Sequence, residues 1–249
     1  MTQEAQDRRQ TASHLLSKQE MQTNREAALT VGQVIEDTKA WVDMQREQKP
    51  GLIGAHLMGG ITSMSRDERF PTYRDVDLHL IFRDDVQLPE GNEEALYKGL
   101  MIEAGLRQQK DYSTRQGVLA DPVIASHMAL KSIVYDPTGW LTRLHEAVAP
   151  EYTQPQWVRK RCEAEKREAF DWLERVASLP DPVTAVNILG YTCTFVSGVL
   201  ALASLQPITG RRCAVHMRHI LEKWGRLDLH ERLLEVFGMA HLSREEVGH

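Results

Sequence analysis

Residues 52–82 run LIGAHLMGGITSMSRDERFPTYRDVDLHLIF, and the fold turns on how this stretch is parsed. Leu52 to Met58 is a short apolar run bounded by Pro50-Gly51 and Gly59-Gly60, which predicts a buried strand running into a tight turn. After Thr62, Ser63 and Ser65, a second run sets Val76, Leu78, Leu80 and Phe82 in alternation with Asp75, Asp77, His79 and Ile81. A period of two means a strand with one face on a core, so the other face carries the acids. Two carboxylates at i and i+2 have Cβ atoms roughly 6.5 to 7 Å apart, a separation from which both reach one or two hard divalent cations. Magnesium is the natural occupant, because it keeps several waters and is usually held by one or two carboxylates plus substrate phosphates. The Gly59-Gly60 turn lets backbone approach those phosphates, and the first N–H groups of a following helical turn, with the Thr62 and Ser63 hydroxyls, are placed to donate to them.

Working outward, Thr23 to Gln48 has the spacing of an amphipathic helix, with Ala28, Val31, Val34, Ile35, Thr38, Trp41 and Val42 on one face and Thr23-x-x-Glu26 as a capping box. Beyond Phe82, the Pro89-Glu90-Gly91 turn and a short helix are expected to lead to a third strand near Lys98 to Leu106. There Leu100, Ile102 and Ala104 alternate with Met101, Glu103 and Gly105, which puts another acid on a strand. Asp121-Pro122 opens a helix toward Lys131, and Ile133 to Tyr135 is a further strand. Only helices follow: Trp140 to Val148, Pro155 to Ser178, Pro182 to Leu205, Arg211 to Trp224 and Asp228 to Phe237. The expected architecture is α/β in the α+β sense, with a small mixed sheet and flanking helices over residues 1–150 and a helical bundle over 151–249. Ser243-x-x-Glu246 announces a helix just before His249, which predicts a truncated sequence or a helical stub.

Composition narrows the function classes. With 249 residues, 42% hydrophobic and 26% charged, the chain has the balance of a globular protein with a packed core. Thirty Lys+Arg against 35 Asp+Glu give a net charge of −5, which opposes binding to a long nucleic acid. Cys162, Cys193 and Cys213 are odd in number and widely spaced, the usage of reduced thiols in a cytoplasmic protein rather than of a disulfide framework or zinc site. Charged residues within Met1 to Gln10, with no apolar run after them, do not make a secretory signal. Val183 to Leu205 is long enough to span a bilayer, but its polar load of Thr184, Asn187, Tyr191, Thr192, Thr194 and Ser197 favours a central bundle helix, and no membrane partner is expected. His216-x-x-His219 has near-helical spacing without accompanying ligands, and His79 is expected to be a core or supporting histidine on the acid-bearing strand.

An apolar strand, Gly59-Gly60, a loop and then Asp75-Val76-Asp77 between apolar residues together resemble the motif of the nucleotidyltransferases of the DNA polymerase β superfamily. Within it the chain looks most like the antibiotic-modifying, kanamycin type, over about Val31 to Ala149. Gly99-Leu100-Met101-Ile102-Glu103-Ala104 resembles the strand bearing the third metal-site carboxylate, and Ile133-Val134-Tyr135-Asp136-Pro137-Thr138-Gly139 the strand and turn closing that family's first domain. The long uncharged helix is, in that family, a buried bundle helix. Glu168-Ala169-Phe170-Asp171-Trp172 resembles the setting of the base carboxylate, which makes Asp171 the candidate, although the same charges suit a solvated helix face. The resemblance implies an enzyme that uses one or two Mg2+ ions, held by Asp75, Asp77 and Glu103, to transfer AMP from ATP, or another nucleotide from its triphosphate, to a hydroxyl of a small molecule such as an aminoglycoside. Gly59, Gly60, Thr62 and Ser63 would contact the nucleotide, and the family suggests a homodimer. Three alternatives stand beside it: a toxin-type enzyme that modifies protein side chains, a catalytically silent nucleotide-binding module on the same fold, and a membrane-tethered protein that uses Val183 to Leu205 as its anchor.

Overall fold

The computed structural model describes residues 29–241 apart from Thr209 and Arg211. The chain is mixed α/β, with a five-stranded mixed sheet backed by a helix and a helical C-terminal region, as its sequence predicts. Contacts divide it into two units, the described residues up to Gln108 with Ile133–Thr138, and Gln109–Ser132 with the remainder from Gly139. The division falls elsewhere than the composition shift at Pro150, because residues 109–132 and the helix following Gly139 contact the C-terminal helices.

In the first unit, α1 (Val31–Gln48) starts later than its periodicity suggests. Thr30 is extended and bridges to Arg69, so it ends any continuous helix from Thr23 and acts as the N-cap. Its hydroxyl accepts from the Gln33 N–H at 3.2 Å, and the Gln33 side chain accepts from the Thr30 N–H at 2.8 Å. The Thr23-x-x-Glu26 box and Ala28 lie outside the described residues, as does Ser243-x-x-Glu246. Val31, Val34, Thr38, Trp41 and Val42 form the buried stripe of α1.

The strands are β1 (Leu52–Leu57), β2 (Val76–Phe82), β3 (Asn92–Tyr97), β4 (Leu100–Gln108) and β5 (Ile133–Tyr135), in spatial order β3-β4-β2-β1-β5. Only β2 and β4 pair in parallel, with Val76 opposite Ile102, Leu78 opposite Ala104 and Leu80 opposite Leu106. These residues and Phe82 join Val34, Trp41 and Val42 in one buried apolar cluster, so the face of the sheet bearing them is the core face. In place of the short helix expected after Gly91 there is β3, joined to β4 by the two-residue turn Lys98-Gly99. Both turn residues have positive φ, +49° and +80°, the backbone that matches the twist of a tight hairpin.

In the second unit, α2 (Arg115–Ala120) and α3 (Ile124–Ala129) are linked through Asp121, whose carboxylate accepts from the N–H groups of Val123 at 2.8 Å and Ile124 at 2.6 Å. There follow α4 (Trp140–Val148), α5 (Pro155–Ser178), α6 (Pro182–Ala203), α7 (Cys213–Lys223) and α8 (Leu227–Val236). Arg161 of α5 is fully buried, donating to the carbonyls of Leu119 and Tyr152 at 2.8 Å each and stacking on the Tyr152 ring. Among the described residues the cysteines are free.

Helix α6 corrects one expectation. It buries Thr192, Cys193, Ser197, Gly198, Ala201 and Leu202 but exposes Val183, Val186, Tyr191 and Val196. It is thus buried along one side only, and it is long and apolar enough to cross a membrane. Its polar side chains bond to its own backbone: Asn187 to the Val183 carbonyl at 3.2 Å, Thr192 to Ile188 at 3.0 Å, Thr194 to Tyr191 at 2.6 Å and Ser197 to Thr194 at 2.7 Å. For these four side chains the helix itself supplies the acceptor, so they do not require neighbouring helices.

Candidate metal centre

The face of the sheet opposite α1 is set by the same alternation that builds the core. Across β2 and β4, Asp77 lies opposite Glu103, His79 opposite Gly105 and Ile81 opposite Arg107. Asp75, two residues before Asp77, points to the same side at the mouth of the strand. One carboxylate oxygen from each of Asp75, Asp77 and Glu103 lies within 4.8 Å of the other two, and all three residues are half-buried. No other group of three or more His, Cys, Asp or Glu side chains among the described residues can hold a metal in this way.

Two unit charges at that separation repel by about 1 kcal/mol in water and about 3 kcal/mol at an effective dielectric of 20. A divalent cation turns three repulsions into attractions, and an all-oxygen donor set from three carboxylates suits hard Mg2+ rather than a thiolate- or imidazole-seeking metal. The residues present therefore fit the ion that the sequence predicts.

The glycine pair has a geometric purpose. Gly59 and Gly60 open a 3-10 turn, Gly59–Ser63, directly after β1, and the Met58 N–H donates to the Asp77 carbonyl at 2.7 Å. Gly59 has φ +63°, and a Cβ there would collide with the Asp77 carboxylate. The turn thus presses its backbone against a side chain of the candidate metal centre, an approach that only glycine permits. Thr62 Oγ1 donates to the Gly59 carbonyl at 2.7 Å and Ser63 Oγ to the Gly60 carbonyl at 3.0 Å. Both hydroxyls stitch the turn together in this conformation, and each must rotate before it can donate to a phosphate.

Around the acids stand residues that the motif alone does not reveal. Asn92, on β3 opposite Gly105, donates from Nδ2 to Glu103 Oε1 at 2.7 Å, leaving Oε2 as the less committed oxygen. Its strand was expected to be a helix, so its place on this face was hidden. Arg74 packs its guanidinium against Gly60, and the only trace of it in the sequence is its position directly before Asp75. His79 is buried, meets the buried His56 edge-on at 5.2 Å, and occupies space left by Gly105, as expected of a supporting histidine. His216 bonds to the Gln206 side chain at 2.7 Å, a structural role, and burial with the neighbouring His219 lowers its pKa. Asp171 belongs to the second unit, exposed on α5 between Phe170 and Trp172.

No protein-family model matches this chain, and no curated protein matches it. Among solved structures it is similar to a nucleotidyltransferase-like protein from Exiguobacterium sibiricum, with 14% identity over 86% of this chain and 76% of that one, and a TM-score of 0.36.

Proposed function

We propose that the chain is a Mg2+-dependent nucleotidyltransferase that moves a nucleoside monophosphate, AMP from ATP, to a hydroxyl of a small molecule and releases pyrophosphate. The supporting observation is the convergence of Asp75, Asp77 and Glu103 from neighbouring strands beside a glycine turn that abuts Asp77. When bound, Mg2+ neutralises triphosphate charge and stabilises the charge developing around the α-phosphorus. Asp75 and Asp77 hold the ion from the mouth of β2, and Glu103 completes the set from β4. Gly59 and Gly60 bring backbone close to the phosphates, with Thr62 and Ser63 as hydroxyl donors after rotation. The acceptor oxygen forms its bond to the α-phosphorus as the bond to pyrophosphate breaks, and Asp171 is the proposed recipient of the acceptor proton. Excess carboxylate on this face suits a cationic acceptor such as an aminoglycoside. The protein is proposed to work in the cytoplasm, as a homodimer, without a nucleic-acid or membrane partner.

The test is a pyrophosphate-release screen with Mg2+, ATP or GTP, and aminoglycosides, lincosamides and other polyols as acceptors, with Asp77→Asn as the blank. Release above the blank with one acceptor class supports the reading. Equal signals from the natural protein and the blank across the panel refute it.

A further inference from the structure

The hairpin of β3 and β4 continues the face of the sheet that carries the acids. Directly opposite residues share a face, so Leu96 with Met101, Glu94 with Glu103 and Asn92 with Gly105 form successive rows on it. Because Val76 lies opposite Ile102 and Asp77 opposite Glu103, Met101 stands level with Asp75 at the mouth of β2. The outermost row is apolar and open: Leu96 is 50% exposed and Met101 45% exposed. On the other face β4 behaves as a one-sided strand should, with Leu100, Ile102 and Ala104 buried. A single exposed leucine is ordinary on a protein surface. Two large apolar side chains facing each other across a strand pair, with Cβ atoms about 4.5–5.5 Å apart, make one continuous shelf. That shelf adjoins Asp75 on one side and, one row deeper, Glu103 and the exposed Glu94. Two glutamates directly opposite each other repel, an arrangement that a cation lying over them relieves.

We propose that Leu96 and Met101 select the acceptor, binding the apolar side of a small amine whose hydroxyl receives the nucleotide, with Glu94 beside its ammonium. The inference rests on the function proposed above and adds the chemistry of the acceptor. In-line displacement puts the incoming oxygen and the leaving pyrophosphate on opposite sides of the α-phosphorus. The Gly59–Ser63 turn follows β1, which flanks β2 on one side, whereas β4 and then β3 flank it on the other. With the phosphates along the turn and the ion at Asp75, Asp77 and Glu103, the acceptor approaches over β4 and β3. The surface it meets there is the Leu96–Met101 shelf with Glu94 behind it. Carboxylates alone hold any polycation. The shelf adds a preference for an amine with hydrocarbon next to its hydroxyl, because such a molecule takes both apolar side chains out of water. Methionine, unbranched and adaptable, follows the shape of what lies on it.

The experiment titrates three amino alcohols, alaninol, leucinol and phenylalaninol, into the full chain in saturating Mg2+ and α,β-methylene-ATP. Each has one ammonium and one hydroxyl, and only the apolar part grows. Methionine-methyl NMR of isotope-labelled protein follows binding, with the Met101 signal assigned by its loss in Met101→Leu. The Met101 methyl is expected to shift with leucinol and phenylalaninol. Leucinol should bind about 5- to 10-fold more tightly than alaninol, about twofold per added carbon, which is half the free energy of full burial. Leu96→Ser should reduce that ratio to about twofold or less, while the Mn2+ affinity of the protein, read by electron paramagnetic resonance, stays within about twofold of the natural value. Leu96→Thr reads the same loss if serine disturbs the hairpin, and Leu96→Met, which keeps an apolar side chain, should keep the ratio. Glu94→Gln should weaken all three amines by about two- to fivefold and leave the ratio alone, as expected of an exposed ion pair. Equal affinity for alaninol and leucinol, a Met101 signal that does not move, or a leucinol preference undiminished in Leu96→Ser and Leu96→Thr overturns the shelf. Mn2+ binding that is strong in the natural protein and lost in Asp77→Asn leaves the metal-site reading standing after such a result. Mn2+ affinity unchanged in Asp77→Asn overturns that reading and the shelf with it.

Discussion

Replacing Gly59 by alanine separates the geometry of the turn from the chemistry of the acids. At φ +63° an alanine pays the left-handed penalty of about 1–2 kcal/mol, and its Cβ enters the space of the Asp77 carboxylate. The carboxylate must swing away, because the other party is backbone tied to the Asp77 carbonyl through the Met58 N–H. Two effects of different size should follow. The metal-free protein should melt about 3–6 °C lower, the shift that 1–2 kcal/mol gives a chain of this length. Mn2+ affinity should fall about 10- to 100-fold, comparable to the loss of a group that orients a ligand. Saturating Mn2+ at about 100 times the wild-type dissociation constant stabilises the natural protein by about 2.7 kcal/mol, and Gly59→Ala should retain only a fraction of this. Calorimetric melting with and without Mn2+, alongside direct Mn2+ titration, reads both effects. A variant that melts lower but binds Mn2+ as tightly as the natural protein would refute the claim that Gly59 is required by the position of Asp77.

Asn92→Ala should release Glu103 and lower Mn2+ affinity about tenfold, with little change in melting temperature, as checked by titration and calorimetry. Glu165 of α5 is buried against Gly198 of α6, and burial, reinforced by Glu168 and Asp121, raises its pKa from 4.5 to about 7. Between those values the folded protein holds a proton that the unfolded chain has released, so this contribution to stability is complete below 4.5 and lost as pH rises through 7. Glu165→Gln should therefore melt increasingly above the natural protein as the pH is raised from about 5 to about 8, and parallel melting curves across that range would disprove it. Arg161→Ala strips charged donors from two buried carbonyls and should cost about 3 kcal/mol or more in urea unfolding.

Much of the fold follows from local pattern. The alternation in Val76 to Phe82 and in Leu100 to Leu106 places the apolar residues on one face and Asp77 and Glu103 on the other, and the structure keeps both assignments. The Asp-Pro start of α6 is legible for the same kind of reason, because Asp181 caps the helix through the N–H groups of its own first turn. Asn92–Tyr97 misleads because Glu93, Glu94, Ala95 and Leu96 include strong helix formers. Pairing with β4 and a turn with positive φ at both Lys98 and Gly99 override that preference, and Asn92 reaches Glu103 only as a result.

The sequence by itself determined which side chains share a face, since that depends on a backbone period of two within each strand. It also determined that oxygen ligands, a glycine pair and a short loop lie close together along the chain. Only the tertiary structure decided that β4 lies beside β2 in parallel with Glu103 opposite Asp77, that Gly59 backs onto Asp77, and that Arg74 rests on Gly60. Strand order and register come from bringing the apolar residues of all the strands onto one core face, a condition on residues far apart in sequence that no local period encodes.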